Sequence, residues 1–456
     1  MLTFCLAAES VRERNKTTET SLKFLITIAL FGGVCQAVGQ MSFAVATNYP
    51  VGSSPYCVIA TDVNGNGNVD LISANEGSSS LTVLTNNGDG IFGSNATYNV
   101  PYTQRVVPVD VNGGGKVDLV CASGSLMVLT NNGSGAFATA SNYNVGNYPY
   151  VITADVNGDG KMDLVSAIRS SPGSLIVLTN TGNGTFAVSS SPGVFSQSLA
   201  AADVNGDGKM DLVEANHQSL VILTNGGNGT FSLCSTSALY SIWPGQITTA
   251  DVNGDGKLSI VVPDYASSEG TSLEVLTNNG TGVFSSNATY TVGQGPQSVI
   301  AADINGDGKV DLISANLFGT LTVLTNNGDG GFGFSATLPT GLYPNSIVTA
   351  DLNGDGKLDL VTATDGNNAL TVLINTTIFP PPVSTPPLNI NPLGSGIQVS
   401  WPTASPGWSL QQNMDLTTTN WGPSGYSGYG IADDGTNKSL TIPFSVGNLF
   451  FRLLHP

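Results

Sequence analysis

Histidine is nearly absent: His217 and His455 are the only two in 456 residues, so a Ser-His-Asp triad or a histidine-rich metal centre has little support. Charge is sparse, at 10% of residues, and one-sided, with 14 Lys and Arg against 32 Asp and Glu for a net charge of −18. No basic stripe follows a phosphate backbone, which excludes nucleic acid as a partner. Five cysteines show no disulfide spacing; Cys57, Cys121 and Cys234 read as buried free thiols. Long hydrophobic runs are missing as well. The apolar stretch from Phe24 to Val34 is short for a bilayer span. Arg12, Arg14, Lys16 and Lys23 precede its core and Ala37-Val38-Gly39 follows, so residues 1–39 read as an export signal cut before Gln40. The expectation is a secreted, periplasmic or cell-surface protein with no membrane span in its mature chain.

Glycine is abundant, with 56 residues, and mean hydropathy lies near zero, as in a turn-dense all-β protein and unlike a disordered one. The glycines are ordered by a repeat. Asp303-Ile-Asn-Gly-Asp-Gly-Lys-Val-Asp311 returns complete at Asp155–Asp163, Asp203–Asp211 and Asp351–Asp359, and altered at Asp62–Asp70, Asp110–Asp118 and Asp251–Ser259. Spacings of 45 to 52 residues match a propeller blade. With two or three acidic residues each, the loops hold more than half of the acidic side chains.

Oxygens at positions 1, 3 and 5, a backbone carbonyl near position 7 and a carboxylate at position 9 suit one hard cation, and calcium, with six to eight oxygen ligands, suits so flexible a loop better than magnesium. A bare Asn-Gly or Asp-Gly hairpin turn needs no such alternation. The candidate ligands are Asp155, Asn157, Asp159 and Asp163; Asp203, Asn205, Asp207 and Asp211; Asp303, Asn305, Asp307 and Asp311; and Asp351, Asn353, Asp355 and Asp359. Asp62, Asn64, Asn66 and Asp70 keep all four oxygens with one charge fewer. Weaker sets are Asp110, Asn112 and Asp118, where Gly114 takes position 5, and Asp251, Asn253 and Asp255, where Ser259 takes position 9.

Each unit predicts a strand, the acidic loop, a second strand, a variable turn, a third strand, an Asn/Gly turn and a fourth strand. The last unit ends without its fourth strand, which Phe43–Tyr49 is expected to supply by closing the ring and hiding its edges. The units resemble the FG-GAP (VCBS-type) repeats of integrin-α-like seven-bladed propellers over about residues 41 to 378, with the Asp-x-Asn-x-Asp-Gly-x-x-Asp loop matched residue by residue in the four complete copies. The resemblance implies calcium loops on one face of the disc and ligands at the opposite face or rim, as in adhesion proteins. The predicted fold is an all-β, seven-bladed β-propeller (40–378) with calcium-binding loops, a Pro-rich linker (379–388) and a small β-sandwich-like module (389–456).

Strand alternation places the acidic loops and Asn/Gly turns on one face, and the variable turns and blade-to-blade links on the other. Variable loops on a rigid frame are where binding usually lives. That second face gathers Tyr148, Tyr150, Trp243, Tyr265, Phe318 and Tyr343 as candidates for a protein or glycan ligand, with blade packing as the alternative role for any single ring. Trp401, Trp408 and Trp421 read as core of the terminal module. Glu214, Asp264, Glu269 and Asp365 are candidate acids for glycoside cleavage, but nothing in the sequence brings two of them across a cleft, so the expectation is a binding protein and not an enzyme.

Overall fold

A computed structural model describes residues 2–6, 30–32, 41–146, 149–168, 174–191, 197–240, 243–265, 270–377, 389–393, 396–402, 409–413, 422–423, 431–434, 436–443 and 449–454. The chain divides into two compact units, Gly39–Phe379 and a second made of Met1–Val38 with Pro380–Pro456.

In the larger unit the described residues form seven four-stranded antiparallel sheets. The sixth shows the pattern: an inner strand Pro296–Ala302, then Asp311–Asn316, Thr320–Asn326 and an outer strand Phe332–Pro339. Its second strand is buried along its whole length. A strand covered on both faces reads as continuous apolar and small residues instead of an alternation. The outer strands are Ser-, Thr- and Asn-rich and largely exposed after their first residue, as in Phe284–Thr291. Cys234 sits on such a strand and is exposed, whereas Cys57 and Cys121 are buried; all three are free. The expectation of a buried Cys234 thus fails because its strand borders solvent.

Seven apolar clusters, each shared by two successive sheets, form the core, and one of them joins the seventh sheet to the first through Leu352, Val361, Leu71 and Phe92. The ring closes as expected. Thr47–Pro50 pairs antiparallel with Ala369–Leu373 as the fourth strand of the seventh sheet, with Phe43 attached by a single bridge to Asn375. At the rim, edge-to-face Tyr/Phe pairs link successive sheets: Tyr49 to Phe92, Tyr98 to Phe137, Tyr143 to Phe186 and Tyr290 to Phe332.

Among its described residues the smaller unit contains two sheets. One orders Asn389–Leu393, Gly396–Pro402, Asn437–Pro443 and Ala432–Asp433, with Trp401 buried on it. The other orders Leu30–Gly32, Leu2–Leu6, Leu449–Leu454, Ser409–Asn413 and Gly422–Pro423. Two strands of the sequence-predicted leader are therefore part of this sheet: Leu2–Leu6 pairs with the carboxy-terminal strand Leu449–Leu454, and Leu30–Gly32 pairs with Leu2–Leu6. Trp408 and Trp421 lie outside the described residues. No described helix is long and apolar enough to cross a membrane.

Candidate metal loops and the opposite channel mouth

The acidic loops join the inner strand of each sheet to its second strand, and the Asn/Gly turns touch them, as in Gly184 N to Val111 O (3.1 Å) and Gly229 N to Val156 O (2.9 Å). The two kinds of turn thus share one face. In the sixth sheet, Asp303 Oδ1 accepts from Gly306 N (2.7 Å) and Asp307 N (3.1 Å), and Oδ2 accepts from Gly308 N (2.7 Å). Asn305 Oδ1 takes Asp307 N (2.8 Å), and Asp307 Oδ1 takes Lys309 N (3.0 Å). Gly306 and Gly308 hold φ of 74° and 81°, a left-handed backbone that side chains disfavour.

Asp311 is fully buried. Its Oδ2 accepts from Ile304 N (3.2 Å) and its Oδ1 from Asn326 N (2.9 Å), so it clasps the loop to the third strand. Asn326 then reaches across the sheet gap, with Nδ2 donating to Val252 O (2.7 Å) of the fifth sheet and to Val310 O (2.8 Å). The same cross-sheet bond recurs from Asn131 to Val63, Asn225 to Val156, Asn278 to Val204, Asn375 to Ile304 and, closing the ring, Asn86 to Leu352. Sequence reasoning passed over this asparagine. Its signal was the recurring Thr-Asn that ends the third strand in six of the units.

By donor type the loops fit a hard cation, since every candidate ligand offers oxygen and a carboxylate oxygen accepting one N–H keeps lone-pair capacity. Burial, with the Asp307 and Asp303 charges, pushes Asp311 up to about 7 against the pull of its two backbone donors. Asp359 is pushed up to about 6 by burial and by Asp355 and Asp351. A cation would relieve that crowding of like charge. Among the described residues, however, no three His, Cys, Asp or Glu side chains converge as a ready-made metal cage, because the first aspartate of each loop is turned onto the loop's own N–H groups.

The copies also differ among themselves. Asn64 Nδ2 donates to Asp70 (3.4 Å) and Asn112 Nδ2 to Asp118 (3.1 Å), so in the first two loops an amide sits against the ninth-position carboxylate. In the sixth loop Asn305 Nδ2 is buried without a partner. Lysine does more at position 7 than offer a carbonyl: Lys161 pairs with Asp159 (3.0 Å), Lys209 with Asp207 (3.5 Å) and Lys357 with Asp355 (3.0 Å). The bond from Lys161 holds Asp159 below the usual carboxylate range. In the fifth loop Asp251 caps Gly254 N and Gly256 N as elsewhere, while Ser259 leaves the clasp without a carboxylate.

The opposite face carries the second-to-third-strand turns and the links between sheets, bonded to one another as in Glu76 N to Ser54 O (2.9 Å) and Thr340 N to Gly319 O (2.9 Å). Where the inner strands begin, a cavity of about 330 Å³ opens, lined by residues from all seven sheets. Tyr150, Trp243 and Tyr265 line it. Tyr150 is buried beneath Arg105, whose guanidinium lies 3.9 Å from the ring centroid. Trp243 meets His217 edge-on at 4.0 Å, and burial raises the Tyr265 phenol. Phe318 (52% exposed) and Tyr343 (43%) share this face but do not line the cavity. Tyr148 and Glu269 lie outside the described residues. Glu214 is fully buried, in register with Leu199 and Val221, and Asp365 opens a short 3₁₀ turn.

Seven four-stranded sheets in a closed ring, with repeated acidic loops on one face, define a repeat-built β-propeller. The FG-GAP-like repeat matches residues 62–121, 110–166, 155–214, 203–262, 263–314 and 303–362, so the chain belongs to the FG-GAP-like repeat family. Among solved structures, BBS1N in complex with ARL6DN superposes with a TM-score of 0.55 at 13% identity, covering 75% of this chain and 98% of that one. Sqt1 of Saccharomyces cerevisiae gives 0.48 at 12% identity, covering 74% and 100%. No curated protein matches the chain.

Proposed function

We propose that the protein is an exported, calcium-stabilised β-propeller that acts as a binding or adhesion module, holding a protein or cell-surface ligand on the face opposite its acidic loops. The observation that carries this reading is the asymmetry of the two faces. Among the described residues six non-glycines adopt left-handed backbone, Ser54, Ser79, Tyr102, Gln218, Tyr343 and Asn368, and each lies in a link or turn of the variable face. Such outliers collect at ligand-binding surfaces. The acidic face places its positive φ angles on glycine alone and repeats one geometry, which suits a scaffold. The neighbouring BBS1N structure, solved with ARL6DN bound, supports a protein partner for this fold. A glycan ligand is the second reading, favoured by the aromatic rings around the channel mouth. The apolar leader supports export, and the oxygen-only donor sets support calcium as the loop ion, strongest in the four complete copies.

Binding of the calcium-loaded protein to intact cells and to a glycan array tests the proposal. Trp243→Ala with Phe318→Ala should reduce binding, and Asn279→Ser on the acidic face should leave it unchanged. Equal binding by both variants would refute the assignment of faces.

A further inference from the structure

We infer that the channel mouth is a binding site for a carboxylate-bearing sugar residue of the uronic-acid class. This deepens the reading of the variable face and rests on it. The cavity is chemically at odds with the rest of the chain. In a protein with 32 acidic and 14 basic residues, its described lining includes one cation, Arg105, and no carboxylate.

Arg105 is positioned before any ligand arrives. Its Nε donates to Val151 O at 2.9 Å, and its guanidinium is stacked on Tyr150. The terminal nitrogens of a guanidinium so held form a fork that matches a carboxylate in two parallel bonds. The same cavity is lined by amides from the fourth to seventh sheets, Gln197, Gln246, Gln297 and Asn345. Each carboxamide both donates and accepts, as sugar hydroxyls do, and the Trp243 and Tyr265 rings add apolar surface for a pyranose.

The fifth sheet is distorted to make room for this lining. Its inner strand is only Thr248–Ala250, and the preceding segment crosses to the sixth sheet, with Gln246 N donating to Gln297 O at 2.8 Å. That approach requires Gly245, since a Cβ there would stand 2.5 Å from Gln297 O. The crossing segment carries Trp243 to the mouth. At about 330 Å³ the cavity is at the small end of ligand sites, room for roughly one or two sugar rings. The Trp243 and Tyr265 ring surfaces beside Arg105 favour a pyranose over a lone acidic side chain, which would engage the guanidinium alone.

Calorimetric titration of the full-length, calcium-loaded protein with digalacturonate, cellobiose and a polyglutamate peptide tests the assignment. Digalacturonate should bind at least about tenfold more tightly than cellobiose, and Arg105→Gln should abolish that preference. If Arg105→Gln lowers the melting midpoint, Arg105→Lys, which keeps the charge, should retain part of the preference. Trp243→Ala should weaken both sugars together. Equal affinity for the two sugars, no heat from digalacturonate, or Arg105-dependent binding of polyglutamate alone overturns the proposal. Cell binding that survives Arg105→Gln in any of those cases leaves the broader reading of the face standing, whereas loss of the face's role in cell binding removes both.

Discussion

The two faces of the propeller solve the same problem, turning a chain between antiparallel strands, in opposite ways. On the acidic face every left-handed position is a glycine, the first aspartate of every loop takes the N–H of the sixth-position glycine on its Oδ2, and buried asparagines stitch sheet to sheet. On the other face, side chains such as Tyr102, Gln218 and Tyr343 hold left-handed backbone, turn lengths vary, and the strand starts converge on a mixed polar and aromatic cavity. Uniformity marks the part that must be the same seven times. Departure from it marks the part free to specialise.

Calcium removal should test this contrast with the largest effect. At ~2 mM calcium and a dissociation constant of ~0.1 mM, each calcium-loaded loop would contribute roughly 1.8 kcal/mol, about 7 kcal/mol for the four complete copies. Chelation should therefore lower the melting midpoint by about 10 to 20 °C, with recovery on adding calcium but not magnesium. An unchanged midpoint would mean that the N–H caps and lysine pairs suffice, and the loops would lose their metal role. Next in size, Asn326→Ala strands the buried Val252 carbonyl and the partly buried Val310 carbonyl and should destabilise by about 2–4 kcal/mol in urea titrations. Its exposed neighbour, Asn327→Ala, should cost under about 1 kcal/mol; equal losses would refute the stitching role.

Backbone conformation separates the faces on a finer scale. Gly308→Ala meets open space at φ 81°, so its expected loss of about 1–2 kcal/mol comes from the backbone alone. Gln218→Gly on the variable face should be close to neutral, because relief at φ 62° offsets the entropy of a new glycine. If both changes shift the unfolding midpoint alike, left-handed backbone does not distinguish the faces. The smallest effect belongs to Arg105→Met, which should cost about 1 kcal/mol or less for its stacking and single backbone bond while removing discrimination for carboxylates.

Much of the frame was legible because its causes are local. The spacing of Asp62, Asp110, Asp155, Asp203, Asp251, Asp303 and Asp351 set the number of sheets, and the missing fourth strand after Leu373 pointed to closure by the amino-terminal segment, which Thr47–Pro50 performs. Asn86, Asn131 and Asn326 were passed over because their role depends on carbonyls more than 60 residues away. Lys161 and Lys357 looked like carbonyl donors until side-chain geometry brought their ammonium groups onto Asp159 and Asp355. Phe318 and Tyr343 belong to the expected face but not to the cavity.

Which residues turn, which alternate and which repeat was settled within a few neighbours along the chain, since φ demands at glycine and the two-residue period of strands act at that range. What meets at the channel mouth was settled only by ring closure. Arg105 reaches Tyr150 and Val151 of the next sheet, and Gly245 approaches Gln297 of another. Those contacts exist because seven strand starts, far apart in the chain, are brought to one axis by packing between sheets.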